Sequence, residues 1–68
     1  KRVQAMWDRI TSDRKIMGGR ACIRGMRITV SQVVQLIAQG MTSSEVIKEY
    51  PDLEAADIKQ ALEYAAAA

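Results

Sequence analysis

The sequence predicts a mainly α fold: three helices, the last two in a helix-turn-helix layout, preceded by a short N-terminal β-hairpin or strand pieces. Three observations carry this. Capping signals open helices at Thr29 and Thr42, stop signals close them at Gly40 and Pro51, and apolar residues recur in three stripes at helical spacing.

One pattern occurs three times: an apolar residue, a potential cap, two spacers, an acid or amide, and a second apolar residue. It reads Ile28-Thr29-x-x-Gln32-Val33, Met41-Thr42-x-x-Glu45-Val46 and Leu53-Glu54-x-x-Asp57-Ile58. The first two are capping boxes inside hydrophobic staples. The threonine oxygen accepts from the N3 amide, Gln or Glu reaches back, and the apolar pair sets the angle at which the chain joins the helix. The third is a weaker start because Glu caps poorly, and Asp52 serves instead if the helix begins two residues earlier. The alanine-rich sequence after it favours a helix regardless. Gly40 suits the left-handed position past the first helix, and Pro51 disfavours helical geometry at Tyr50.

The helices are therefore placed near 30–39, 43–50 and 54–66. Their stripes are Val33, Val34 and Ile37; Val46, Ile47 and Tyr50; and Ile58, Ala61, Leu62 and Ala65, enough to close one core. Ahead of residue 28 the periodicity shortens. Residues 7–11 and 21–28 read as strand pieces or a loose hairpin, joined by a loop over 12–20 that contains Gly18-Gly19. Such a hairpin is marginal alone and must pack on the helices or on a partner's strand.

At 68 residues the chain is a single domain, with strands and a basic loop over 7–29 and the three-helix unit over 30–66, its helix-turn-helix at 43–66. A domain this small buries only about 60% of the area its unfolded chain exposes, so small cores are often supplemented. Cys22 is the single cysteine and there is no histidine, which excludes an internal disulfide and a zinc site of the Cys and His kind. Self-association remains, and a homodimer is expected. The lone thiol and the lack of a basic, apolar leader point to the cytoplasm, and no apolar run is long enough to span a bilayer. The chain opens on Lys and closes in four alanines, and its ends receive no functional assignment.

A net charge of +2 conceals a segregation. Residues 1–30 carry eight basic side chains against Asp8 and Asp13, for +6, and residues 31–68 carry Lys48 and Lys59 against six acids, for −4. The basic end either faces a polyanion or an acidic partner, or simply solvates the surface of a small domain. Arg14, Lys15, Arg20, Arg24 and Arg27 are the candidate contacts, around a glycine pair whose amides can approach a phosphate or merely form a turn. Arg27, between Met26 and Ile28, is read in preference as an internal ion pair with a helical acid. On the third helix only Lys59 and Gln60 suit phosphate or base edges, among Glu54, Asp57 and Glu63, which repel phosphate.

Trp7 is either a lid over the hairpin or an interface anchor, and Ile10 and Met26 are the accompanying candidate interface residues. Cys22 reads as a small buried hydrophobe. Catalysis has little basis: the acids are dispersed, Ser12, Ser31, Ser43 and Ser44 lack a histidine, and no Walker or Rossmann spacing occurs. No enzyme activity, cofactor, metal or small-molecule substrate is expected, unless the chain is a subunit serving a catalytic partner.

Several segments together resemble the family known as domain of unknown function 433: Trp7-Asp8-Arg9-Ile10, Gly18-Gly19-Arg20, Ile23-Arg24-Gly25-Met26-Arg27-Ile28, Gly40-Met41-Thr42-Ser43-Ser44-Glu45, Tyr50-Pro51-Asp52-Leu53 and Asp57-Ile58-Lys59-Gln60-Ala61-Leu62. The resemblance runs from about Trp7 to Tyr64. The sequence departs from the family's usual proline at Ala21, its threonine at Met26 and its frequent proline at Arg14, all in the basic half. The resemblance implies a homeodomain-like helix-turn-helix and an antitoxin that binds a cognate toxin, often a PIN-domain ribonuclease, and its own operator DNA as a dimer. The alternative is a protein-interaction module without nucleic-acid binding, suggested by the acidic third helix.

Overall fold

The computed structural model describes residues 7–67, so Lys1 and Arg2 of the basic half lie outside it. Two strands, β1 (Ile10–Thr11) and β2 (Cys22–Ile23), pair antiparallel in the register Ile10 to Ile23 and Thr11 to Cys22. Three helices follow: α1 (Val30–Ala38), α2 (Ser43–Glu49) and α3 (Ala55–Ala67). The predicted strand pieces shrink to two residues each. The reason is a turn at Arg24-Gly25, where both residues have positive φ (44° and 74°) and Met26 N–H donates to the Ile23 carbonyl at 2.8 Å. Positive φ at both central positions is the pattern of a type I′ turn, which ends the ladder and reverses the chain toward α1.

The three repeated start signals are realised differently. At α2 the box is complete: Glu45 N–H donates to Thr42 Oγ1 at 3.1 Å, and Thr42 N–H donates to Glu45 Oε1 at 2.8 Å. At α1 only half forms. Thr29 Oγ1 accepts from Gln32 N–H at 3.0 Å, but the Gln32 amide donates to the Tyr50 hydroxyl at 3.1 Å, tying α1 to the end of α2 instead of reaching back. At α3 the other half forms: Asp57 Oδ2 accepts from Glu54 N–H at 2.8 Å. Asp52 is exposed and caps nothing, so the helix starts at Ala55.

α1 ends as its sequence predicts. Gly40 has φ 101°, Gly40 N–H donates to the Ile37 carbonyl at 2.9 Å, and Met41 N–H donates to the Leu36 carbonyl at 3.2 Å, the two bonds of a Schellman cap. A Cβ on Gly40 would meet no atom within 4 Å, so only its backbone conformation resists substitution. Gly40→Ala is expected to cost about 1 kcal/mol of stability in a urea melt, and an unchanged midpoint would refute the conformational account.

Ile23, Val30, Val33, Val46, Leu53, Ile58 and Ala61 form the core, with Ile10, Ile28, Met26, Val34 and Tyr50 packed against it. Cys22 is buried. The α3 stripe is rotated from its expected position. Ile58 and Ala61 are buried, but Leu62 and Ala65 are exposed, and Asp57 takes the place inside. A carboxylate on the buried face of a helix requires partners. Those partners organise the rest of the domain.

Candidate functional site

Asp57 is 0% exposed and sits one turn into α3. Arg9 Nη1 donates to its Oδ1 at 2.8 Å. Arg24 donates from Nε to both oxygens, at 3.1 and 3.2 Å, and from Nη2 to Oδ2 at 3.0 Å. With Glu54 N–H on Oδ2, the carboxylate has donors from two strand-flanking segments and from its own helix. Each arginine reaches a second acceptor: Arg9 Nη1 to Glu54 Oε1 at 2.9 Å, and Arg24 Nη2 to the Asp52 carbonyl at 2.6 Å. The guanidinium side chains are 30% and 37% exposed, so both keep an edge in water.

Charge alone does not set this geometry. Arg24 holds a left-handed φ that a side chain with a Cβ disfavours, and its backbone is clamped there: its N–H donates to the Arg9 carbonyl at 2.9 Å, and the Gly25 N–H donates to Thr11 Oγ1 at 2.8 Å. Gln60 supports the arm from below. Its Oε1 accepts from Arg9 N–H at 2.7 Å and its Nε2 donates to Asp8 Oδ1 at 3.0 Å. Trp7 then meets Tyr64 edge to face, with ring centroids 5.2 Å apart. The segment at residues 7–11 is thus fastened along α3 at Asp57, Gln60 and Tyr64.

Burial raises the Asp57 pKa, but hydrogen bonds from Arg24, from Arg9 and from the Glu54 amide outweigh it, and the carboxyl lies below its ordinary value of 3.8. Hydrogen bonds to Asp57 in turn raise both arginines, Arg9 gaining further from Glu54. Because the folded carboxyl titrates below the unfolded one, its stabilisation is whole above about pH 4 and is lost as pH falls through the folded value. Urea melts across the acid range should show this loss. The double variant Arg9→Ala/Arg24→Ala should reverse the contribution of Asp57, because burial then outweighs the remaining Glu54 amide bond and raises its pKa, so that acid relieves a destabilised charge.

The predicted contact residues separate into two groups. Arg24 and Gln60 are engaged inside the domain, correcting their assignment as freely presented contacts: an acid on the buried helix face captures the first, and the N-terminal arm captures the second. Arg14, Lys15, Arg20 and Arg27 are exposed, and none of them forms an ion pair among the described residues. That also corrects the preferred reading of Arg27, since the positive-φ turn carries it away from the helical acids. Lys59 is 80% exposed and lies 3.9 Å from Glu63. Ile10 and Met26, proposed for an interface, are half-buried against the core of this same chain. Trp7 is half-buried, and its ring meets Tyr64 of α3 rather than the hairpin.

The loop that carries the cations is shaped by its own backbone. Asp13 Oδ1 accepts from Lys15 N–H at 2.9 Å, Ile16 N–H returns to the Asp13 carbonyl at 2.8 Å, and the Ser12 hydroxyl donates to the Gly19 carbonyl. Met17, Gly18 and Gly19 all have positive φ, so the glycine pair forms a left-handed turn. Arg20, at its end, borders an open groove of about 510 Å³ whose walls are Val30 and Val34 of α1 and Tyr64 and Ala65 of α3. Among the described residues, no group of three or more His, Cys, Asp or Glu is placed to hold a metal ion, and no helix is long and apolar enough to cross a membrane.

The family described as Protein of unknown function (DUF433) matches residues 10–65. The chain belongs to the DUF433 family. The crystal structure of a DUF433 member from Anabaena variabilis is similar over 91% of this chain, with a TM-score of 0.79 and 35% sequence identity. This chain spans 61% of the length of that relative. No curated protein matches. The DUF433 match includes Arg24 and Asp57 and leaves Trp7 and Arg9 just outside it.

Arg9 and Asp57 are the two residues of this site that sequence reasoning did not single out as a pair. The available signal was positional. An acid at N3 of a helix whose i+1 and i+4 neighbours are Ile58 and Ala61 falls on the inward face, where it needs a cation from elsewhere in the chain.

Proposed function

We propose that this DUF433 protein is a non-enzymatic, antitoxin-like binding module of the cytoplasm that docks an acidic protein surface through Arg14, Lys15 and Arg27. The observation that carries this reading is the division of labour among its cations. Arg9 and Arg24 neutralise Asp57, while Arg14 and Lys15 of the 12–20 loop and Arg27 after the Arg24-Gly25 turn stand exposed and unpaired among the described residues. A cognate toxin of the metal-dependent nuclease kind, such as a PIN-domain ribonuclease, would present a suitable acidic cleft. The shape of α3 favours a protein partner over base reading. A recognition helix contacts base edges with its N-terminal residues, and here Asp57 and Ile58 are buried, Gln60 is engaged and Lys59 is the one cation, beside the exposed acids Glu54 and Glu63, which repel phosphate.

The test is binding to the protein encoded by the neighbouring open reading frame. The triple variant Arg14→Glu/Lys15→Glu/Arg27→Glu is expected to weaken it at least about a hundredfold, because like charges then face each other, while the circular dichroism spectrum stays unchanged. Unaltered affinity would overturn the proposal. A second reading, operator DNA bound by a dimer, draws on the layout of α2, the turn at 50–54 and α3. It requires a gel shift with upstream DNA whose log affinity falls against log salt with a slope of about −0.9 per neutralised phosphate.

A further inference from the structure

We infer that the groove between the N-terminal half of α1 and the C-terminal turns of α3 is the seat of a second copy of this chain, which inserts Leu62 and pairs its Glu63 with Arg20. Four features of one subunit are mutually complementary. The groove is apolar along Val30, Val34, Tyr64 and Ala65, and a cation, Arg20, stands at its border. Leu62, 36% exposed, is with Met17 of the glycine loop one of two large apolar side chains left in water among the described residues, and the one that stands on α3 beside the groove; Glu63 is its neighbour in sequence. A hollow with a positive border thus matches a knob with a negative flank on the same molecule.

Self-complementary patches close as a two-fold dimer, in which each subunit gives the knob and receives it. The positions satisfy that requirement. Leu62 lies one turn from Ala65, which walls the groove, so the giving and receiving surfaces adjoin on α3 and a two-fold axis between them brings two α3 helices side by side. Ala65 and Ala66 are small and exposed, which lets the helices approach closely. Glu63 has only a loose contact to Lys59 to release, at 3.9 Å between two exposed side chains. Burying Leu62 and the groove walls also supplies apolar area that a domain of this size lacks within one subunit. Arg14, Lys15 and Arg27 take no part, so this interface stands independently of the acidic-partner reading.

Sedimentation equilibrium of the 68-residue chain tests the inference by charge exchange. The wild type is expected to be a dimer at high micromolar concentration. Arg20→Glu and Glu63→Arg should each raise the dimer dissociation constant at least about tenfold, since each places like charges together. The double variant Arg20→Glu/Glu63→Arg should restore the wild-type constant, a recovery that neither misfolding nor a simple change of net charge produces. Leu62→Glu should yield a folded monomer by circular dichroism. A monomeric wild type, a dimer indifferent to the single exchanges, or a double variant no tighter than the singles would each overturn the inference.

Discussion

Asp57→Ala is expected to remove about 3 kcal/mol of folding free energy, at the lower end of what breaking a buried ion pair costs. The lower end applies because the charges left behind, Arg9 and Arg24, are each about a third exposed and can turn to water. The loss has three sources. The carboxylate accepts charge-assisted bonds from both guanidinium groups, it holds the Glu54 amide at the start of α3, and it compensates the left-handed backbone of Arg24. For a domain of 68 residues, typical stabilities of about 0.05–0.15 kcal/mol per residue make such a loss a large fraction of the whole. Urea denaturation followed by circular dichroism measures it directly. An Asp57→Ala protein as stable as the wild type would mean that the cluster contributes nothing to the fold.

Ile23→Ala should cost about 3 kcal/mol as well, through a different mechanism. Ile23 is 0% exposed, ends β2 and touches the core formed by all three helices, so its removal leaves a cavity that the paired strands and packed helices cannot collapse. Its carbonyl accepts from Met26 N–H across the Arg24-Gly25 turn, which places that turn directly on the core. The two losses are expected to differ in their response to acid. The Ile23→Ala deficit should persist unchanged as pH falls below about 4, whereas the Asp57→Ala deficit should shrink there, because the wild type loses the same contribution by protonation. Parallel urea melts of both variants in acid separate apolar burial from ion pairing; equal behaviour would contradict the assignment of Asp57 as ionised.

Much of the helical half was legible in the sequence. Thr42 and Glu45 form the capping box their spacing prescribes, Gly40 takes the left-handed position, and Pro51 follows the end of α2. The candidate site was less legible. Arg24 looked like an exposed polyanion contact and Arg27 like an internal partner, and the structure exchanges their surroundings. They lie three residues apart across a turn with two positive φ values, and the direction in which that turn carries each side chain is not encoded in hydrophobic period or in propensity. The α3 stripe shows the same difficulty. An apolar pattern at 58, 61, 62 and 65 is equally consistent with a helix rotated toward 57, 58, 61 and 64, and the Arg9 and Arg24 pairs to Asp57 select the second.

The starts and stops of the helices, and the positive charge gathered ahead of them, are legible in the chain without its fold. Caps, stop residues and apolar periods act between neighbours a few residues apart, so they can be read along the chain. Which cations are held and which are presented depends on long-range packing. The Asp57 contacts join residues 48 and 33 positions distant in sequence, and whether a guanidinium finds a buried carboxylate over that span depends on the packing of the strands against α3. That packing leaves Arg14, Lys15, Arg20 and Arg27 facing water, and the function proposed for this DUF433 protein begins from Arg14, Lys15 and Arg27.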